Sequence, residues 1–334
     1  MKDQGMALLQ RLRRSDTSLL QLVALTLLIF CIMAAANPEK FLRPYVFESI
    51  TYVAPELGLL AIAMMLAMLT GGIDLSVVGI ANLSGILAGL FFHAYGGPRG
   101  PGLLHMATLP VLAGLGIAVG TGLLAGVLNG ALIAGLRVTP ILTTIGSGQV
   151  FTGLALVLTG GPAVVGFPQG WSFIGNGQVS GVAMPLLVLL VAAGLVALLL
   201  TRTAFGINLF LIGTSARAAT FAGLRTGRAI SLTYVLTGLL ASIAGVILSG
   251  RTNAAKSDYG VSYLLQAVLI AVLGGTDPAG GRGSVLGVIL ALVALMLLSS
   301  GLQLMRFSNF LVDFIWGAFL LFSIALNALR ARTR

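Results

Sequence analysis

Long apolar runs alternate with short polar interruptions along this chain, and most runs are long enough to cross a bilayer. A transmembrane helix needs about 20 consecutive apolar residues. The pattern predicts about ten spans, at 19–36, 50–69, 76–94, 107–136, 139–159, 182–200, 229–250, 261–273, 284–305 and 310–329. The eighth, 261–273, is short for a span and reads as a full crossing that borrows from its flanks, or as a broken or re-entrant helix. Irregular backbone at that depth survives only where protein or a water-filled cavity covers it. A polar loop is expected at 37–48, a glycine- and proline-rich loop at 96–102, a long mixed loop at 160–181 and another polar loop at 251–259. The longest basic stretch is 202–228.

One interruption organises the rest: Thr70-Gly71-Gly72-Ile73-Asp74-Leu75-Ser76, a polar hinge between two apolar runs. A lone carboxylate there needs a reason, because ionised groups at membrane depth are costly and usually functional. The hinge has an echo in Gly274-Gly275-Thr276-Asp277-Pro278. After each copy a Ser-Val-x-Gly segment opens the next run, at Ser76 to Gly79 and at Ser284 to Gly287. The second copy inserts 279–283, including Gly280 and Gly281, between its Asp and its Ser. Such weak internal symmetry is characteristic of transporter sequences. The glycines permit sharp turns and close helix contact. Asp74 and Asp277 are each expected to cap the following helix, in preference to touching a substrate.

Composition settles the class. The chain is 57% hydrophobic and 8% charged, with mean hydropathy +1.05, whereas soluble domains carry roughly 25% charged residues. The 45 glycines favour helices with small-residue contacts over barrel strands. The fold class is therefore an all-α polytopic membrane protein with a basic N-terminal segment 1–17, a membrane domain 18–329 and a basic tail 330–334. The net charge of +10 does not point to nucleic acid, because the basic residues sit at segment ends. With the N-terminus inside, Lys2, Arg11, Arg13, Arg14, Arg137, Arg202, Arg217, Arg225, Arg228, Arg282, Arg330, Arg332 and Arg334 fall inside. Lys40, Arg43, Arg99, Arg251, Lys256 and Arg306 fall outside. That bias places both termini in the cytoplasm.

No engine is visible. The Lys256-Ser257 pair lacks the glycine loop that cradles phosphates. His93 and His105 lie near one loop without a ligand partner, so no metal site is expected, and Cys31 is the one cysteine. Gly146-Ser147-Gly148 has no histidine placed as its base. The most informative polar stretch is Gly206 to Gly227, where Thr214 or Ser215 can cap a short helix that Gly223 ends. That helix offers Ala and Phe beside Arg217, which suits either a partner's groove or a lipid headgroup surface.

From these residues the chain resembles the permease subunits of bacterial ATP-binding-cassette importers for ribose-type sugars. The resemblance rests on Gly71-Gly72-Ile73-Asp74-Leu75-Ser76-Val77, on Leu128-Asn129-Gly130 with Val138-Thr139-Pro140, and on the Gly206-to-Gly213 stretch. It continues through Gly238 to Gly245 and Leu273 to Gly281, in order, from about Leu57 onward. It implies a multi-pass protein of the bacterial inner membrane that pairs with a second permease as a homo- or heterodimer. It also implies a separate ATPase subunit holding ATP and Mg, with no cofactor bound by this chain, and sugar delivery by a periplasmic binding protein. Within 202–228, residues Thr214, Ser215, Ala216, Arg217, Ala218, Ala219, Thr220, Phe221 and Gly223 would form the ATPase-coupling helix. Arg251, Lys256 and Asp258 would help dock the binding protein.

The embedded polar residues Glu56, Asn82, Asn129, Gln149, Gln266 and Gln303 are pathway candidates, since amides both donate and accept hydrogen bonds. Helix–helix bonding explains any one of the amides equally well. A rival reading is an ion-coupled secondary transporter using Glu56, Asp74 and Asp277, which predicts uptake without an ATPase.

Overall fold

The computed structural model describes residues 2–96, 108–308, 310–312 and 314–321, with side chains from Leu19 onward except Thr108. The basic N-terminal segment and the first apolar run form one helix, α1 (Lys2–Ala36). After a single turn of helix, α2 (Pro38–Phe41), comes α3 (Pro44–Leu69). The sequence from Leu57 to Leu69 has no polar face, and a helix apolar all round belongs in an interior. Every residue of α3 from Ala54 to Leu69 is indeed buried. Around it stand α8 (Met184–Arg202), α11 (Thr226–Thr252), α12 (Val261–Leu273) and α13 (Val285–Leu304), and α1 lies on the outside of α13.

A second layer is built by α4 (Val77–Gly96) and α5 (Thr108–Gly130) against α11, with α6 (Pro140–Thr159) packed on α4. The crossing of α5 and α11 depends on missing side chains. A Cβ on Gly122 would overlap the carbonyl oxygen of Gly238, and one on Gly126 would overlap that of Tyr234. Lipid tails are as apolar as leucine, so helices in a bilayer associate through such close backbone approach. At its end α5 loosens into a π turn, Ala131–Gly135. Much of α6, including Ile141, Leu142, Ile145, Val150 and Val157, is exposed.

The end of the bundle remote from the hinges is closed by α7 (Gln169–Asn176). Its Trp171 is fully buried, stacks on Phe167 and donates from Nε1 to Ser249 Oγ at 3.1 Å. Two-residue strands pin the neighbouring loops: β1 (Val164–Val165) pairs antiparallel with β4 (Ala254–Ala255), and β2 (Gln178–Val179) with β3 (Val182–Ala183).

Several expectations change. Among the described residues eight helices are long and apolar enough to cross a membrane. Of the other two expected spans, α12 has the 13 residues that made it short for a crossing, and 310–329 is described only over Phe310–Leu321. The expected polar loop 37–48 is largely helical, because Pro38 and Pro44 each occupy a first helical turn, where proline's missing N–H costs nothing. The mixed loop 160–181 contains α7, whose apolar side is buried. Arg99, His105, the remainder of the last apolar run at 322–329 and the tail 330–334 lie outside the described residues.

Candidate functional site

At one end of the bundle, α9 (Ala204–Thr214) leads into α10 (Ala216–Phe221). Ser215, with extended backbone, accepts the Ala218 N–H on its Oγ at 3.2 Å and so caps α10. Gly223 ends the turn with φ +83°. Arg217 and Phe221 are four residues apart and share one face of the helix. Phe221 is 93% exposed, while Ala219 faces inward. The capped turn with its exposed aromatic stands as a knob at this end of the chain.

The two hinges meet at the base of this knob. A Cβ on Gly213 would overlap both the Leu69 carbonyl oxygen and the Gly281 nitrogen, and Gly281 N–H donates to Leu69 O at 3.0 Å. Gly280, with φ +100°, lies against Gly71 and Gly213. The end of α3, the loop before α13 and the end of α9 therefore touch through bare backbone. The segments carrying Arg137, Arg202, Arg217, Arg225, Arg228 and Arg282 gather at this end.

Asp74 is fully buried behind that junction. Its Oδ1 accepts from the Ser76 N–H at 3.1 Å and from Ser76 Oγ at 2.6 Å, and its Oδ2 accepts from Thr237 Oγ1 at 2.6 Å. Asn129 Nδ2 donates to Ser76 Oγ at 2.8 Å. The chain of bonds ties the start of α4 to α5 and α11. Thus Asp74 forms a turn ahead of the helix, and Ser76, whose carbonyl accepts the Ile80 N–H at 2.9 Å, is the residue that flanks α4. Asp277 differs from its expected capping role. It accepts the Ala279 N–H on Oδ1 at 2.9 Å in an exposed turn, and Ser284 caps α13 by accepting the Gly287 N–H at 3.3 Å.

On the other side of α3, Glu56 is 1% exposed and accepts from Arg251 Nη2 at 2.8 Å, Arg251 Nε at 3.1 Å and Tyr263 Oη at 2.6 Å. The fork joins α3, α11 and α12, and it occupies the guanidinium expected for partner docking. Asn82 holds the loop between α11 and α12, donating through Nδ2 to the carbonyls of Ser257 at 2.9 Å and Tyr259 at 2.8 Å. Asn82 lies about 8 Å along α4 from its hinge end, so this loop dips deep into the bundle. Lys256 and Asp258, paired at 2.8 Å, line an open cavity of about 550 Å³ with Leu75, Val78, Gln149 and Thr152.

The sequence-predicted residues are therefore divided. Asn129 joins the Asp74 network, and Asn82 and Glu56 brace the dipping loop. Gln149 alone of the amide candidates faces the cavity. Gln303 bonds one turn back to Ser299 at 3.3 Å, and Gln266 on α12 is half-buried, away from the cavity lining. Thr237 and Tyr263 escaped sequence reasoning. For Thr237 a signal existed: Thr233, Tyr234 and Thr237 are polar positions on one face of a long apolar helix, and all are buried. Among the described residues no group of three or more His, Cys, Asp or Glu side chains could hold a metal ion.

Comparison with known proteins agrees with this architecture. The profile of the family described as "Branched-chain amino acid transport system / permease component" matches residues 46–324. The chain is 32% identical over 274 residues to the autoinducer 2 import system permease protein LsrD of Photorhabdus luminescens, covering 80% of this chain and 78% of that protein. It is 30% identical to LsrD of Photorhabdus temperata over 92% of this chain and 90% of that protein. With LsrD of Yersinia enterocolitica the identity is 33%, over 79% of this chain and 78% of the relative. No solved structure matches. The profile match over most of the chain and the relatives at 30% identity or more agree with a multi-pass bundle, and this protein belongs to the family of membrane permease components of bacterial ATP-binding-cassette importers.

Proposed function

We propose that this chain forms half of the membrane pathway of an importer for a sugar-like solute of the autoinducer-2 class, in the bacterial inner membrane. The observation that carries this reading is the similarity to the LsrD relatives over most of both chains. The solute arrives on a periplasmic binding protein, and a second permease, identical or a sister chain, supplies the other half. ATP and Mg are held by a separate ATPase whose groove takes Arg217 and Phe221 of α10. Movement of that knob passes to α3 and the loop before α13 through the Gly213, Leu69 and Gly281 contact. The orientation puts the hinge end in the cytoplasm, supported by the arginines gathered there. Both termini are then cytoplasmic, 261–273 is a broken span, and 310–329 is the last crossing.

An ion-coupled mechanism has little to work with. The carboxyl of Asp74 is fully engaged by Ser76 and Thr237, and Glu56 is held by Arg251 and Tyr263. The test is uptake by proteoliposomes holding the complex purified from native membranes, with loaded binding protein outside and ATP inside. Uptake of autoinducer-2 that requires ATP and survives collapse of ion gradients is expected. Uptake driven by an ion gradient without ATP would overturn the reading.

A further inference from the structure

The Lys256–Asp258 pair has no structural duty that explains its place. It lies on a loop that is held from three sides. Asn82 grips the carbonyls of Ser257 and Tyr259, β4 is paired with β1, and the Glu56 fork fixes Arg251 and Tyr263 on the flanks. A segment so braced presents its side chains in one geometry, which is the condition for a precise binding wall. What it presents is an ammonium and a carboxylate 2.8 Å apart, both substantially exposed to the cavity. The facing wall on α6 offers Gln149 and Thr152, and apolar Leu75 and Val78 lie between.

The chemistry of this lining is specific. The pair sums to zero charge, so the cavity does not attract an anion or a cation by net field. A hydroxyl can donate to the Asp258 carboxylate and accept from the Lys256 ammonium at once, and two adjacent hydroxyls satisfy both partners without leaving either charge unpaired. Gln149 supplies a further donor and acceptor, and Thr152 a hydroxyl that does either. The apolar patch suits the C–H face of a compact ring or chain.

We infer that Lys256, Asp258 and Gln149 form a solute-contacting station in the translocation pathway, selective for a neutral polyhydroxylated molecule over its phosphorylated form. This rests on the proposed import function, and it moves Lys256 and Asp258 from partner docking to substrate passage. The charge-neutral double variant Lys256→Met/Asp258→Asn keeps the loop's backbone anchors, and Gln149→Ala changes an exposed side chain on the opposite wall.

The experiment titrates loaded binding protein up to saturation and measures two quantities in the same proteoliposomes: stimulated ATP hydrolysis, which reports docking, and uptake of autoinducer-2, with ribose as a second neutral probe. Losing hydrogen bonds to charged groups lowers occupancy of a site about tenfold or more. Uptake per ATP hydrolysed should therefore fall about tenfold in the double variant and severalfold in Gln149→Ala, with stimulated hydrolysis and its half-saturation by binding protein unchanged. Normal uptake per ATP in both variants would overturn the station. Loss of stimulation with a raised half-saturation would also overturn it, and would return the pair to docking. If the double variant does not reach the membrane, Gln149→Ala decides alone. A wild-type complex that carries neither probe would overturn the proposed function and the station together.

Discussion

The two glycine-and-aspartate hinges look alike in sequence and do opposite jobs. In the first, Asp74 is fully buried and its oxygens are consumed by Ser76 and Thr237, with Asn129 behind them. In the second, Asp277 merely closes an exposed turn, while Gly280 and Gly281 make the contacts that count, against Gly71, Gly213 and Leu69. One hinge is held by its carboxyl and the other by its backbone. The lesson is that a repeated motif preserves a chain path, and the neighbours decide which of its residues matter. The first hinge faces α5 and α11, which offer hydroxyls and an amide. The second faces the end of α9, where Gly213 offers bare backbone and Thr214 lies against Gly281.

The sharpest way to break this contrast is Asp74→Ala. It removes the acceptor for Ser76 and Thr237 in a fully buried site, where hydrogen bonds to a carboxylate contribute about 1.5–3 kcal/mol each. The variant should lose about 3 kcal/mol or more, seen as a collapse of membrane yield and of the melting temperature in detergent. Next is Gly281→Ala, which forces a Cβ into a residue at φ +77° and against Thr214. It should cost about 2 kcal/mol and, unlike Asp74→Ala, should also lower uptake per ATP hydrolysed, because the seat of the knob is displaced. Smallest is Asp277→Ala, which loses one exposed turn bond and should shift stability by less than about 1 kcal/mol with uptake unchanged. A large effect of Asp277→Ala, equal to that of Asp74→Ala, would erase the distinction between the hinges.

Much of the architecture was legible in the chain because bilayer thickness imposes one length on every crossing. The interior position of α3 follows from its unbroken apolar run, and the Ser215 cap and Gly223 stop follow from local chemistry. What escaped was everything set by partners distant in sequence. Nothing in Arg251 signals that its guanidinium reaches Glu56, 195 positions away in the chain. Nor does Lys256 reveal that Asn82 pulls its loop down into the bundle. The charges of 37–48, Glu39, Lys40, Arg43 and Glu48, look like those of a linker, yet two prolines start helices there. For Asp277, the five inserted residues were visible, but not that Ser284, like Ser76 after the first hinge, is the residue that flanks the next helix.

On the proposed reading this chain is a passive half-pathway driven through α10 by a separate ATPase. The most direct test is purification of the tagged protein from native membranes in mild detergent, with the copurifying chains identified, for wild type and for Arg217→Ala/Phe221→Ala. Both side chains point away from the bundle, so the variant should fold and keep its second permease. A stoichiometric ATPase with wild type, lost or greatly reduced in the double variant, is the predicted result. Equal recovery from both would contradict the coupling role of α10, and no ATPase with wild type would contradict the account as a whole.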